Sequence, residues 1–129
     1  MPRTIASSVN PPATAPQLRL RMRVTQGDDV AIGPGKVALL EAVQAHGSIT
    51  AAARHLGMSY RRAWVLVDEL NRALRTPAVT SAQGGARGGG SVLTPAGEKL
   101  LRLYRAIEDK ARKACAADMA RLLAMVPGR

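Results

Sequence analysis

The chain has few aromatic side chains: no phenylalanine, one tryptophan and two tyrosines in 129 residues, a share of 2%. Without rings, a core must be assembled from Leu, Val, Ile, Ala and Met, and small aliphatic side chains favour closely packed helices over a sheet sandwich. Cysteine is equally scarce. Cys115 stands alone, which excludes an internal disulfide, leaves a zinc set incomplete and suits a reducing cytoplasm. No apolar run approaches the roughly 18 residues of a membrane span. The opening MPRTIASSVNPPATAPQ contains no apolar stretch of the signal-peptide kind, and its Pro, Ser, Thr and Ala content predicts a disordered arm over residues 1–17. Acidic residues are also in short supply, 9 against 19 Lys+Arg, a formal net charge of +10 on 13.6 kDa. That much positive charge draws polyanions, nucleic acid or an anionic membrane. Fifteen of the basic residues are Arg, whose planar fork fits phosphate and guanine edges and so tilts the choice toward nucleic acid.

What is present reads as one small domain with a long tail helix. Leu18, Leu20, Met22 and Val24 alternate with Arg19, Arg21 and Arg23, the period of a strand with one buried face over residues 18–24. The three arginines are either a solvated edge or phosphate contacts. Gly27-Asp28-Asp29 signals a turn, and Val30-Ala31-Ile32 can return as a partner strand. A first helix is expected over residues 36–45, with Val37 and Leu40 on its apolar side, Glu41 and Gln44 on its polar side, and His46-Gly47 as its stop. Ser48 caps a short, alanine-rich second helix over residues 49–56, which Gly57 ends.

Ser59 caps a third helix to about residue 72. Ala63, Leu66, Val67, Leu70 and Leu74 form its core stripe, while Arg61, Trp64, Val65 and Asp68 lie opposite with Tyr60 and Asn71 on a flank. Two helices joined by so short a turn make a helix-turn-helix, whose second member enters the major groove of DNA. Two β-prone pieces, residues 78–81 and 91–93, flank a glycine-rich loop that holds Arg87, the pattern of a wing. The Gly-Lys-Ser/Thr ending of a phosphate loop is absent. Thr94-Pro95 opens a last helix. Along it Leu100, Tyr104, Ile107, Ala111, Cys115, Met119, Leu122 and Val126 recur at steps of three or four, predicting one unbroken helix over residues 94–126 whose far half meets a second copy.

The run GSITAAARHLGMSYRRAWVLVDELN, followed by GGARGGGSVLTPAGEKLLRLY, resembles the DNA-binding domain of the ModE family of molybdate-dependent transcription regulators, relatives of the LysR type. The resemblance covers residues 18–107. Its specific part is Ser59-Tyr60-Arg61 with Trp64, Asp68 and Asn71, joined to the glycine-rich wing and a Leu-Thr-Pro-x-Gly helix start. It implies a homodimer joined through the first strand and the last helix, with Leu20, Met22, Tyr104, Ile107, Ala111, Cys115, Met119 and Leu122 at the interface. Molybdate-sensing members carry a further oxyanion-binding region after the long helix. The present sequence stops at Arg129, so direct molybdate binding is not expected.

The expectation is therefore an α+β winged helix-turn-helix over residues 18–93 with a dimerisation helix over residues 94–126: a cytoplasmic homodimer that binds double-stranded DNA at a roughly palindromic operator. It is expected to have no cofactor, no metal and no catalytic activity. Arg61, at the N-terminal end of the recognition helix, is the candidate for base or phosphate contact. Ser59, Tyr60 and Arg62 are candidates for phosphate; Ser48 and Thr50 of the preceding segment are further DNA-binding candidates, and Arg87 of the wing is a candidate for minor-groove or backbone contact. Trp64 faces either DNA or protein, and Asp68 and Asn71 read as structural, through an Asp68 to Arg72 pair. His46 and His55 lack metal-ligand spacing. Two other readings compete: a dimeric module whose basic surface meets an acidic protein, and an architectural DNA-coating protein without sequence choice.

Overall fold

In a computed structural model, residues 15–82 and 90–128 are described. They form two compact units, residues 21–109 and the remainder, taken here one at a time.

The larger unit begins with a hairpin, β1 (Val24–Gln26) against β2 (Asp29–Ile32), antiparallel around the turn at Gly27. The expected strand over residues 18–24 is corrected by this register. Its alternation is real, with Leu18, Leu20 and Met22 half-buried and Arg19, Arg21 and Arg23 exposed. Period two alone does not make a ladder, however, and residues 18–23 have no partner strand among the described residues.

Three helices follow, α1 (Pro34–His46), α2 (Ile49–Leu56) and α3 (Tyr60–Ala73). The first starts two residues earlier than expected, because Pro34 suits the first helical position. Both short connections depend on left-handed glycines, Gly47 at φ 79° and Gly57 at φ 69°, which end α1 and α2 without strain. Ser48 and Ser59 restart the chain as caps, accepting from the Ala51 and Arg62 N–H groups at 3.0 Å each. The alanines of α2 let it nestle between its neighbours: Ala52 and Ala53 are buried together with Val37, Leu39, Leu40, Val43, Ala63, Val67 and Leu70.

The chain then makes a second hairpin, β3 (Val79–Ser81) against β4 (Ser91–Leu93), and enters α4 (Pro95–Ala114). The entry is tied down at several points. Thr94 donates its N–H to the Ala78 carbonyl at 2.9 Å and its hydroxyl to the Pro77 carbonyl at 2.6 Å, while its Oγ1 accepts from the Gly97 N–H at 3.1 Å. A β-carbon at position 97 would run into the Ala78 carbonyl oxygen. The glycine of the Leu-Thr-Pro-x-Gly run is therefore a close-approach residue, which lets α4 start directly on the backbone ahead of β3.

In the smaller unit, α4 ends at Ala114 and α5 (Ala116–Ala124) follows a break at Cys115, φ −106° and ψ 10°. The unbroken helix expected over residues 94–126 is thus two helices. The interruption is confined to the backbone angles of one residue, since the Cys115 N–H still donates to the Ala111 carbonyl at 3.0 Å and the Cys115 carbonyl accepts from the Met119 N–H at 2.8 Å; residues 110–128 bury no side chain fully, so no packed face within the chain enforces regular angles there. Asp118 then starts a fresh first turn, paired with Arg121 at 3.1 Å.

Candidate nucleic-acid interface

The outward side of α3 is set by its inward side. Ala63, Val67 and Leu70 are buried, and Leu66 and Leu74 pack against the same core, so the remaining positions must face away. Tyr60 is 54% exposed, Trp64 48% and Val65 40%. With Arg61 they line a shallow groove of about 450 Å³. Arg61 and Arg62 are exposed within the first turn of the helix. Ser48, Thr50 and Ser59 lie at the N-terminal ends of α2 and α3. The two serine oxygens accept from backbone, which leaves each hydroxyl proton free to donate. Neither helix has an acidic residue in its first turn, and neither does α1. Helix starts commonly carry Asp or Glu to offset the positive end of the dipole; here that end is left uncompensated, the arrangement that receives phosphate. Arg87 of the glycine-rich loop lies outside the described residues.

The other end of α3 is anchored to the second hairpin by Asn71. Its Oδ1 accepts from the N–H groups of Ala78 at 2.8 Å and Val79 at 3.1 Å, and its Nδ2 donates to the Val79 carbonyl at 3.1 Å. Asp68 pairs with Arg72 at 2.9 Å, one turn on, as its spacing predicted. The wing stem is held from a second side as well, since the Ser91 N–H donates to the Gly47 carbonyl at 2.9 Å.

A network of charges fixes α1 against α4. Arg105 makes a two-pronged contact with Glu41, Nη2 to Oε1 at 2.8 Å and Nε to Oε2 at 3.3 Å, and a third bond to Glu108 at 2.8 Å. Those bonds to Glu41 and Glu108 push the guanidinium pKa up. Lys36 ties hairpin to helices in the same manner, donating to the Val30 carbonyl at 2.6 Å and pairing with Glu69 at 3.4 Å. None of these partners was foreseen from sequence. Glu41 and Arg105 are 64 positions apart, and an exposed-face Glu gives no hint of which Arg will reach it.

The residues expected at a partner interface are not equivalent. Tyr104 is buried in the chain's own core, with its hydroxyl donating to the Met22 carbonyl at 2.8 Å. Burial, then the nearby Glu108 carboxylate, raises its phenol pKa. It has little surface left to offer a partner, because a ring with a polar tip settles where the tip is satisfied. Met22 is half-buried against the same core. Ile107 is exposed in the larger unit. In the smaller unit Leu20, Met119 and Ala111 are half-buried, and Cys115 and Leu122 are exposed. Among the described residues no three His, Cys, Asp or Glu gather as a metal centre, and no helix is long and apolar enough to cross a membrane.

Comparison with known proteins places this geometry. The bacterial regulatory helix-turn-helix proteins of the lysR family match at residues 35–98. The molybdenum-pterin-binding protein MopB of Rhodobacter capsulatus is 56% identical over 77 residues, covering 60% of this chain and 28% of that protein. The molybdenum transport protein ModE of Azotobacter vinelandii is 36% identical over 95 residues, 74% of this chain and 35% of that protein. The DNA-binding transcriptional dual regulator ModE of Escherichia coli (strain K12) is 37% identical over 81 residues, 63% of this chain and 31% of that one. The chain thus spans about a third of the length of these curated relatives. The crystal structure of the CbnR DNA-binding domain–DNA complex shares the fold, with a TM-score of 0.54 and 23% identity over 68% of this chain and 95% of that one. Residues 35–98, from the start of α1 into the first turn of α4, are a bacterial regulatory helix-turn-helix domain of the lysR family, in a chain related over this region to the ModE and Mop proteins.

Proposed function

We propose that the chain is a transcription regulator that binds double-stranded DNA as a homodimer, with α3 in the major groove and the loop holding Arg87 against the backbone or minor groove. The observation that carries this reading is the outward face of α3, where Tyr60, Arg61, Arg62 and Trp64 are all exposed while the opposite stripe is buried. Arg61 reads base edges, and Ser48, Thr50, Ser59, Tyr60 and Arg62 bind phosphate near the two uncompensated helix starts. The E. coli relative is a DNA-binding regulator by name, and the CbnR domain of the same fold was solved with DNA; both agree with it. Two-fold symmetry would pair half-sites one or two helical turns apart, at about 34 Å per turn. Exposed Ile107 in one unit and Leu122 in the other supply apolar surface for the second copy.

The test is a titration of parent and Arg61→Ala against fragments of the native genome and random duplex at physiological salt. The variant should lose about 1–3 kcal/mol of binding on a preferred fragment and little on random duplex. Equal affinity of both proteins on that fragment would remove Arg61 from the site. A parent that prefers no fragment is a DNA-coating protein instead, and one that holds an acidic protein in high salt while ignoring DNA is an interaction module.

A further inference from the structure

Two imidazoles that sequence spacing kept apart are neighbours in the fold. His46 is the last residue of α1 and His55 lies in the last turn of α2. The Gly47 turn folds the second helix back against the first, and the ring centroids come to 4.6 Å with the planes tilted by 40°. Both side chains are exposed, and among the described residues neither ring has a hydrogen bond or ion pair to protein. Their nitrogens are therefore free to bind something from solvent.

We propose that His46 and His55 form a two-histidine site for a late first-row divalent cation such as Zn²⁺, Ni²⁺ or Cu²⁺. The spacing suits a single ion. A metal held about 2.1 Å from an imidazole nitrogen sits about 3.2 Å from that ring's centre, so two such ligands at a right angle have centres about 4.5 Å apart, and at the tetrahedral angle about 5.2 Å. The observed separation of 4.6 Å lies at the near end of that range. Imidazole selects these ions over Mg²⁺ and Ca²⁺, which take oxygen ligands. The electrostatics agree: both rings stand at helix C-termini, whose carbonyl ends carry partial negative charge and favour a cation. No third His, Cys, Asp or Glu joins them among the described residues, so water completes the coordination. The bound ion would clamp α1 to α2 beside Gly47, the residue whose carbonyl holds the wing strand β4.

The experiment is calorimetric titration of the full, untagged chain with Zn²⁺ and separately with Ni²⁺, in a Cys115→Ser background that removes the lone thiolate as a competing ligand. Mg²⁺ serves as the control. Parent, His46→Gln and His55→Gln are compared, with thermal midpoints measured alongside. One ion per chain is expected, with affinity falling roughly tenfold or more in each variant, because losing even a second-shell partner of a metal ligand costs that much. The ion should raise the parent's midpoint and leave the variants' unchanged. Binding that survives either substitution undiminished, or no binding of Zn²⁺ or Ni²⁺ at millimolar concentration, would overturn the assignment. Because both side chains are exposed, the metal-free variants should melt with the parent; a variant that unfolds without metal would equally refute a ligand role.

Discussion

Replacing Asn71 by alanine is the sharpest test of how α3 is held to the wing. The substitution removes one acceptor that serves two backbone N–H groups and one donor to a backbone carbonyl. Each hydrogen bond contributes about 0.5–1.5 kcal/mol net, but the larger effect is on the groups left behind. Ala78 is 0% exposed and Val79 6%, so water cannot easily replace the lost oxygen, and an orphaned buried donor costs about 1–3 kcal/mol. Allowing for partial relaxation, Asn71→Ala should destabilise the fold by about 3–4 kcal/mol, a large share of the 5–15 kcal/mol typical of a domain. Asn71→Asp separates the two halves of the role: its carboxylate still accepts from both N–H groups but loses the donor and faces the Val79 carbonyl, so about 1–2 kcal/mol is expected. Urea unfolding at one fixed protein concentration gives both numbers from the midpoint at constant slope. Amide exchange at Ala78 and Val79 should accelerate in the alanine variant beyond its global destabilisation. An Asn71→Ala protein within about 0.5 kcal/mol of the parent, the range of an ordinary surface substitution, would refute the anchor, as would loss of DNA binding with stability intact.

Gly97→Ala should destabilise by about 1–3 kcal/mol through overpacking against the Ala78 carbonyl, although the same change in a free helix interior stabilises by about 1 kcal/mol; the sign of the shift in urea midpoint decides. Tyr104→Phe should cost about 1–2 kcal/mol by leaving the Met22 carbonyl unpaired. It should also remove a pH dependence. The native phenol pKa is raised above the ordinary 10.0, so its contribution is intact below pH 10 and is lost as pH climbs through the native value; the gap between parent and variant should therefore narrow in strong alkali, as read by urea unfolding across pH 8 to 11. Leu122→Glu should shift the proposed dimer toward monomer in sedimentation while leaving helical circular dichroism near the parent's, since Leu122 is 59% exposed in the single chain.

The parts of the fold that were legible in the sequence are those governed by neighbours a few residues apart. Ser48, Gly57 and Ser59 marked the ends of α2 and α3 because capping and left-handed turns are decided within three or four residues. The core stripe of α3, and with it the outward placing of Arg61, Trp64 and Val65, followed from helical period alone. The illegible parts are long-range. Alternation through residues 18–23 showed which sides would face in, but not that the ladder would form only from Val24 onward, because pairing requires a partner at the right reach. Continuous heptad-like spacing from Leu100 to Val126 could not reveal the interruption at Cys115, where packing rather than pattern decides. Asn71 read as structural, yet its partners lie seven and eight positions on, across a turn whose path no local rule supplies. His46 and His55, nine apart along the chain, met only because the Gly47 turn reverses it.

The distribution of acidic residues ties the charge excess to the proposed surface. With so few of them, where each is placed matters more than the total. Glu41 and Glu108 hold Arg105, Glu69 holds Lys36, Asp68 holds Arg72 and Asp118 holds Arg121. Every one of those basic residues is thereby engaged in bracing one element against another or one helical turn against the next. Among the described residues, Arg61 and Arg62 have no carboxylate partner, and the first turns of α1, α2 and α3 hold none either. An arginine already bound to a carboxylate must give up that partner before it can meet a phosphate; one held in water alone gives up only hydration and counterions. The salt dependence of binding should therefore divide the arginines by partner. Removing Arg62 should lower the slope of log affinity against log salt by about one, whereas removing Arg72 should leave the slope unchanged and act only on stability. A slope that responds equally to both would mean that the paired and unpaired arginines are not the separate populations that the fold makes of them.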